Sequence, residues 1–291
     1  MKLRILCHIF KTIMISRRDF IQKAAGLSAT AIVPSFAKAA FMKPKRIGIQ
    51  LYTVRKEMLV DATGTLKKIA GLGFTDIESA RSEKGNYYGL SAKEIKKVCD
   101  DLGMILRSGH VHVDADWNKT LDQASESGQE YLICSSMPEK GQTADNYKRT
   151  AEVFSKNGEE CKKRNIKFGY HNHDYEFESE NGQVLYDVLL KNTDPALVHM
   201  ELDLGWVVAA GKDPLEYFKN FSGRFPLWHL KDMNLTKKES TEFGKGGLNI
   251  SEMLKNKEQS GLKYFFVEQE EYAVSPFDSM KQNLEYLKKI M

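Results

Sequence analysis

From Arg46 onward the sequence alternates between two textures, and this alternation restricts the fold more than any other feature. Short runs rich in Val, Ile, Phe and Tyr, the composition of strands buried on both faces, recur at 47–52, 75–79, 105–112, 131–135, 167–173, 198–203, 227–231 and 264–268. Between them, apolar residues are spaced for one helical face, as in Leu66, Ile69, Ala70 and Leu72, or Ile95, Val98, Cys99 and Leu102. Gly73, Gly103, Gly128 and Gly261 fall where such a helix has to stop before the next run. Eight strand–helix units in about 250 residues have the size and rhythm of a (β/α)8 TIM barrel. A doubly wound open sheet is the alternative, but no G-x-G-x-x-G follows the first strand. With no Pro-rich or low-complexity linker inside it, 40–291 reads as a single α/β domain.

The first 39 residues carry a different signature. Ser16-Arg17-Arg18-Asp19-Phe20-Ile21-Gln22-Lys23 looks like a twin-arginine export motif, a weakly apolar stretch over 24–36 follows, and Ala37-Lys38-Ala39 reads as a small-x-small cleavage signal. Residues 1–39 are therefore read as a twin-arginine signal peptide for a periplasmic protein, starting at Met1 or Met14. The apolar stretch is too short for a permanent membrane span. The leader holds seven Lys/Arg and one Asp, leaving 36 Lys/Arg against 38 Asp/Glu in the remainder. A chain of formal charge +4 thus becomes slightly acidic, which removes the electrostatic basis for nucleic-acid binding. Cys99, Cys134 and Cys161 form no zinc or C-x-x-C spacing and lie in apolar or helical contexts, so they read as reduced core residues.

In a parallel barrel, functional groups sit at the carboxyl ends of strands. Those ends carry His110 and His112, His171 and His173, Glu201 and Asp203, His229 and Lys231, and Glu268 and Glu270. Five of the seven histidines are in that set, too many for chance placement. Residues two apart on a strand share a face. The residues between, such as Leu202, Leu230 and Val267, are apolar and suit the helix side, so the polar set points into the barrel mouth. Burying so many ionisable groups without partners is costly, and a divalent cation offsets that cost. Asp203 and Glu268 offer oxygen, and His229 and one residue of the 171–176 run supply the rest. Such a mixed set with open positions suits Mn²⁺, Co²⁺, Zn²⁺ or Mg²⁺.

Six segments then carry a resemblance: IGIQLYTVR at 47–55, FGYHNHDYEF at 168–177, ELDLGWVVAAGKDP at 201–214, WHLKDM at 228–233, EFGKGGLNI at 242–250 and FFVEQEE at 265–271. Together they make the chain similar to the xylose-isomerase-like TIM-barrel superfamily of sugar isomerases and epimerases, also called the AP-endonuclease-2 group. The resemblance implies one divalent metal, Mn²⁺ foremost, with Asp203, His229 and Glu268 as the sixth-, seventh- and eighth-strand ligands. The family's fifth-strand ligand is a glutamate, and His171 stands in its place. His173, on the same face and nearer the mouth, is taken as the fourth ligand, with His171 and Glu176 as the alternatives. His171 and Glu176 are then the candidates for proton transfer, and Lys231 for holding an oxyanion unless it pairs with Glu201 or Asp203. Gln50, Tyr52, His110 and His112 are candidates for binding sugar hydroxyls. Trp206 replaces the substrate-binding His of ketose 3-epimerases and can stack on a sugar face or simply pack. The Gly244-Lys245-Gly246-Gly247 segment reads as a mobile rim, with a phosphate cradle as the other reading.

The resulting expectation is a metal-dependent isomerase or epimerase of a non-phosphorylated sugar or keto-sugar, working through an enediolate. A lyase or dehydratase of the same superfamily, resembling inosose dehydratases and suited to 3-keto-glycosides, is the alternative. A periplasmic sugar-binding module is disfavoured by the density of acid–base groups, and an abasic-site endonuclease by the acidic charge and the ligand count for one metal. Assembly into a homo-oligomer is left open by the sequence.

Overall fold

The structure, a computed structural model, describes residues 46–291; the leader expected at residues 1–39 lies outside the described residues. Eight parallel strands close into a barrel: β1 (Gly48–Gln50), β2 (Asp76–Ala80), β3 (Ile105–Val111), β4 (Tyr131–Cys134), β5 (Lys167–His171), β6 (Val198–Asp203), β7 (Leu227–Leu230) and β8 (Tyr264–Val267). Each strand pairs with its sequence neighbours, and Gly48 opposite Phe266 and Ile49 opposite Val267 seal the cylinder. This is the expected TIM barrel. The helices on its outside include α1 (Ala62–Leu72), α2 (Ala92–Asp101), α3 (Trp117–Ser127), α4 (Ala144–Lys163), α5 (Leu185–Asn192), α6 (Pro214–Asn220), α7 (Ile250–Lys255) and α8 (Pro276–Ile290). None of the described helices is long and apolar enough to cross a membrane.

Local chemistry sets the element boundaries. Ser91 and Glu94 form a reciprocal capping box that starts α2, and Ser275 caps α8 ahead of Pro276. Gly73 and Gly128 end α1 and α3 at φ of 111° and 74°, a left-handed turn that costs glycine nothing. The apolar faces read from the sequence are the buried ones: Leu66 and Ile69 of α1 and Ile95 and Cys99 of α2 pack on the sheet with Leu106 and Val111. Cys99, Cys134 and Cys161 are buried free thiols, and burial pushes each above its ordinary pKa.

The barrel interior is layered. Tyr131, Ile133, Leu227 and Phe266 fill its lower part as a small apolar cluster. Gly169 sits beside them because a Cβ there would come within 2.6 Å of the Ile133 side chain. At the very bottom, buried Asp76 is held by Arg46 and Arg107, both at 2.7 Å. Above the apolar layer Glu78, His110, His171, Glu201, Asp203, His229, Lys231 and Glu268 form one connected cluster.

Candidate metal centre

Side chains from seven of the eight strands, or from the residues just after them, meet above that layer, and strand parity explains which ones. Glu201 and Asp203 both face inward on β6, and the apolar Leu202 between them packs against the helices. The register places Asp203 beside His229 and His171 beside Glu201.

The cluster has a lower and an upper tier. In the lower tier the Nε2 atom of His110 lies 2.7 Å from Glu201 Oε2 and 3.3 Å from Glu78 Oε1. The Nε2 atom of His229 lies 2.7 Å from Glu78 Oε1 and 3.3 Å from Glu201 Oε2. The two imidazoles are nearly parallel, 7° apart with centroids at 5.0 Å. Gln50 Nε2 donates to Glu78 Oε1 at 2.8 Å. In the upper tier, His229 Nδ1 is 3.0 Å from both His171 Nε2 and Glu268 Oε2, and 3.6 Å from Asp203 Oδ2. Lys231 caps the tier, its Nζ 2.7 Å from Glu268, 2.8 Å from Glu270 and 3.1 Å from Asp203.

Because the cluster is buried, its charges act on one another through little water. Burial opposes ionisation of Asp203 and Glu268, but the Lys231 ammonium outweighs it and holds both carboxyls well below their ordinary range. Burial and the neighbouring His229 hold His171 neutral, its pKa well below the ordinary value. Burial and the nearby Glu78 charge push Glu201 up to about 7. Burial works against a charged His110, but Glu78 and Glu201 prevail and raise it to about 9.

One ligand atom from each of His171, Asp203, His229 and Glu268 lies within 4.8 Å of the other three. A second group, His110, His171, Glu201 and His229, shares two of these residues. The first group fits a divalent ion in chemistry as well as spacing, with two nitrogens and two carboxylates. Asp203 Oδ1 caps the short helix Leu204–Ala209 by accepting from Trp206 N at 2.9 Å, which leaves Oδ2 buried and facing the group, paired with the Lys231 ammonium at 3.1 Å. Asn172 braces the same residue by accepting from the Asp203 N–H at 3.0 Å.

Not every expected residue is in this constellation. Asp203, His229, Glu268, Lys231, His110 and Gln50 are brought together. His173 is not part of either donor group; His171 takes the fourth position. The reason is that β5 ends at His171, so the alternation does not run on to His173. The His173 N–H turns to the Glu176 carboxylate at 2.8 Å, and its ring stacks on Tyr175 at 5.3 Å. Glu176 is buried and accepts from Tyr170 Oη as well, so it is committed to holding this turn. His112 lies beyond the end of β3 and is exposed. Tyr52 also leaves the barrel face: Gln50 Oε1 accepts from its N–H and starts a single helical turn, Leu51–Val54. The Tyr52 ring then sits outside, under the Arg55 guanidinium at 4.3 Å. Trp206 is half-buried at the mouth, with Lys231 Nζ 4.7 Å from its ring centroid. Glu78 has no place among the sequence candidates, yet it is fully buried at the centre of the lower tier. Its signal was the alternation Asp76-Ile77-Glu78 in a short apolar run, the same parity that marks Glu201 and Asp203.

The loop expected to be a mobile rim has an internal anchor. Asp232 accepts from the backbone N–H groups of Met233, Gly244, Gly246 and Leu248, at 2.9–3.0 Å. A carboxylate of the chain itself therefore fills the amide nest in which a phosphate was the other reading. Each buried amide left without an acceptor costs about 1–3 kcal/mol, roughly 10–100-fold in a local opening equilibrium. Asp232→Ala is accordingly expected to speed amide hydrogen exchange at Gly244, Gly246 and Leu248 while distant strands keep their protection. Unchanged exchange at those three amides would show that other contacts hold the loop.

Comparison with known proteins identifies the family and the fold. The profile of the family described as xylose isomerase-like TIM barrel matches residues 66–290. A crystal structure of a sugar phosphate isomerase/epimerase from Parabacteroides distasonis superposes with a TM-score of 0.76 at 28% identity, covering 87% of this chain and 97% of that one. An inosose dehydratase of Clostridium tetani is 32% identical over 91 residues, which is 31% of this chain and only 30% of that protein's length. The IOLI protein, solved with a zinc atom bound, shares the fold at a TM-score of 0.67 and 11% identity, covering 84% of this chain and 98% of that one. With the profile spanning most of the barrel, the chain belongs to the xylose isomerase-like TIM barrel family.

Proposed function

We propose that this chain is a divalent-metal-dependent isomerase or epimerase of a non-phosphorylated sugar or keto-sugar. The observation that carries the reading is the buried four-donor group His171, Asp203, His229 and Glu268 at the carboxyl ends of β5–β8, in a family of sugar isomerases and epimerases. A bound divalent ion, Mn²⁺ foremost, supplies Lewis acidity towards the substrate's carbonyl and hydroxyl oxygens. The chain's own groups then act around it. Lys231 is paired with Asp203, Glu268 and Glu270, the ion-pair role that was its other reading, and its positive charge would stabilise negative charge developing on a substrate oxygen nearby. The His173 side chain is partly exposed near Trp206, while its Nδ1 is buried and faces the Glu176 carboxylate at 3.9 Å. With His171 facing the donor group, His173 is the imidazole free to take a proton from the carbon beside the carbonyl and return it. Trp206 offers an aromatic face beside Lys231 for the sugar ring. The twin-arginine-like motif at residues 16–23 supports a periplasmic setting, where free sugar phosphates are scarce, and the filled amide nest around Asp232 supports a substrate without phosphate.

A lyase or dehydratase is the second reading, favoured by the inosose dehydratase match and by His171 standing where the epimerase glutamate would be. Both reactions begin with removal of the same proton and diverge in the fate of the enediolate. In ²H₂O, turnover of a panel of keto-sugars and 3-keto-glycosides is expected to place deuterium on the carbon next to the carbonyl. A stereoisomer or ketose–aldose pair as product supports the isomerase, and release of water or an aglycone selects the lyase. Turnover without deuterium uptake in any product would remove the enediolate scheme.

A further inference from the structure

The lower tier contains a carboxylate that belongs to no donor group around the upper tier, and it touches His229, an imidazole whose two nitrogens face the two tiers. His229 presents Nδ1 upward to His171, Asp203 and Glu268 and Nε2 downward to Glu78 at 2.7 Å. An imidazole that binds a cation through one nitrogen keeps its proton on the other, and the acceptor of that proton fixes both the tautomer and the ring plane. Glu78 is itself immobilised. Gln50 Nε2 donates to the same oxygen at 2.8 Å, and the side chain is fully buried. Gln50 is fixed in turn, because its Oε1 accepts from Tyr52 N at 3.0 Å.

We infer that Glu78 is a positioning residue for the metal centre: by holding the proton on His229 Nε2, it makes Nδ1 the nitrogen that faces the other three donors. The inference rests on the proposed reading of His171, Asp203, His229 and Glu268 as a metal site. It gives β1 and β2 a part in the centre although neither contributes a donor to it: Gln50 orients Glu78, and Glu78 orients His229. Glu201 lies 3.3 Å from the same nitrogen and is the weaker partner, being engaged by His110 at 2.7 Å.

The test titrates Zn²⁺ into the metal-free chain against a chromophoric chelator, for the wild type, Glu78→Leu and Glu78→Gln. Leu keeps the volume and removes the acceptor; Gln keeps a neutral acceptor oxygen. Loss of such an outer partner typically weakens metal binding on the order of 10–100-fold, and that loss is expected for Glu78→Leu, with Glu78→Gln recovering part of it. Equal weakening in both variants would mean that only the charge of Glu78 matters and would overturn the tautomer role. So would Zn²⁺ affinity in a folded Glu78→Leu chain within about threefold of wild type. Histidine ¹⁵N spectra of the Zn²⁺-loaded wild type give the independent reading: His229 is expected to keep a proton on Nε2 while Nδ1 shows the shift of a ligated nitrogen. A proton on Nδ1, or two Zn²⁺ per chain with the second displacing the Nε2 proton, overturns the proposal. A wild-type chain that takes up no Zn²⁺ overturns the metal-site reading and this inference with it, whereas wild-type uptake unchanged in Glu78→Leu overturns this inference alone.

Discussion

Asp203→Asn is expected to lose its metal and its turnover together while remaining folded. The substitution is nearly isosteric, and the asparagine oxygen can still accept from Trp206 N, so the cap of the Leu204–Ala209 helix survives. What disappears is one negative charge and the Oδ2 atom that faces His171 at 3.4 Å, His229 at 3.6 Å and Lys231 at 3.1 Å. An amide NH₂ in that place opposes the Lys231 ammonium and offers nothing to a cation. A direct ligand is worth more than an outer partner, so metal affinity should fall by more than the roughly 100-fold upper range for the latter. Metal content by mass spectrometry, beside a circular dichroism melt, reads both effects. One equivalent of metal retained by a folded Asp203→Asn chain would show that the donor set is wrongly drawn.

The largest effect on stability is expected from Trp228→Ala. Trp228 lies on β7 between the inward-facing Leu227 and His229, so it points to the helices, where it is fully buried and stacked on Phe218 of α6 at 4.9 Å and 2°. Truncating a buried aromatic of this size costs about 3–5 kcal/mol. For a domain of this length each kcal/mol moves the melting temperature by roughly 2–4 °C, so the loss should be about 10 °C or more. Trp228→Phe should cost much less, because the indole N–H has no acceptor and its removal relieves an unsatisfied buried donor. A thermal melt of both variants decides the matter. Similar losses for Phe and Ala would show that indole volume, not the aromatic stack, is what β7 requires.

Asp203 and Trp228 also show what the sequence made legible. Both lie where period-two alternation holds: Trp228 faces out and His229 faces in, as Leu202 and Asp203 do on β6. All eight strands could be read because a strand buried on both faces has no polar alternative to confuse it. The alternation fails beyond the last residue of β1 and β5, where hydrogen bonds of the succeeding turn take over. Tyr52 departs because Gln50 caps a helical turn, and His173 because Glu176 draws its N–H aside. His171 and His173 are indistinguishable by spacing; only the point at which β5 ends separates them. Glu78 was hidden for another reason. It lies on β2, away from the strands that carry the donor group, and its importance comes from touching His229, 151 residues later in the chain.

The apolar layer of Tyr131, Ile133, Leu227 and Phe266 has a consequence for traffic through the molecule. It gives the charged vessel above it a sealed floor, so the barrel is a cul-de-sac and not a conduit. On the proposed reading, substrate, product and any cation would enter and leave from the end of the barrel where Lys231 meets Trp206. On that reading a cation held by the donor group would have no exit through the floor.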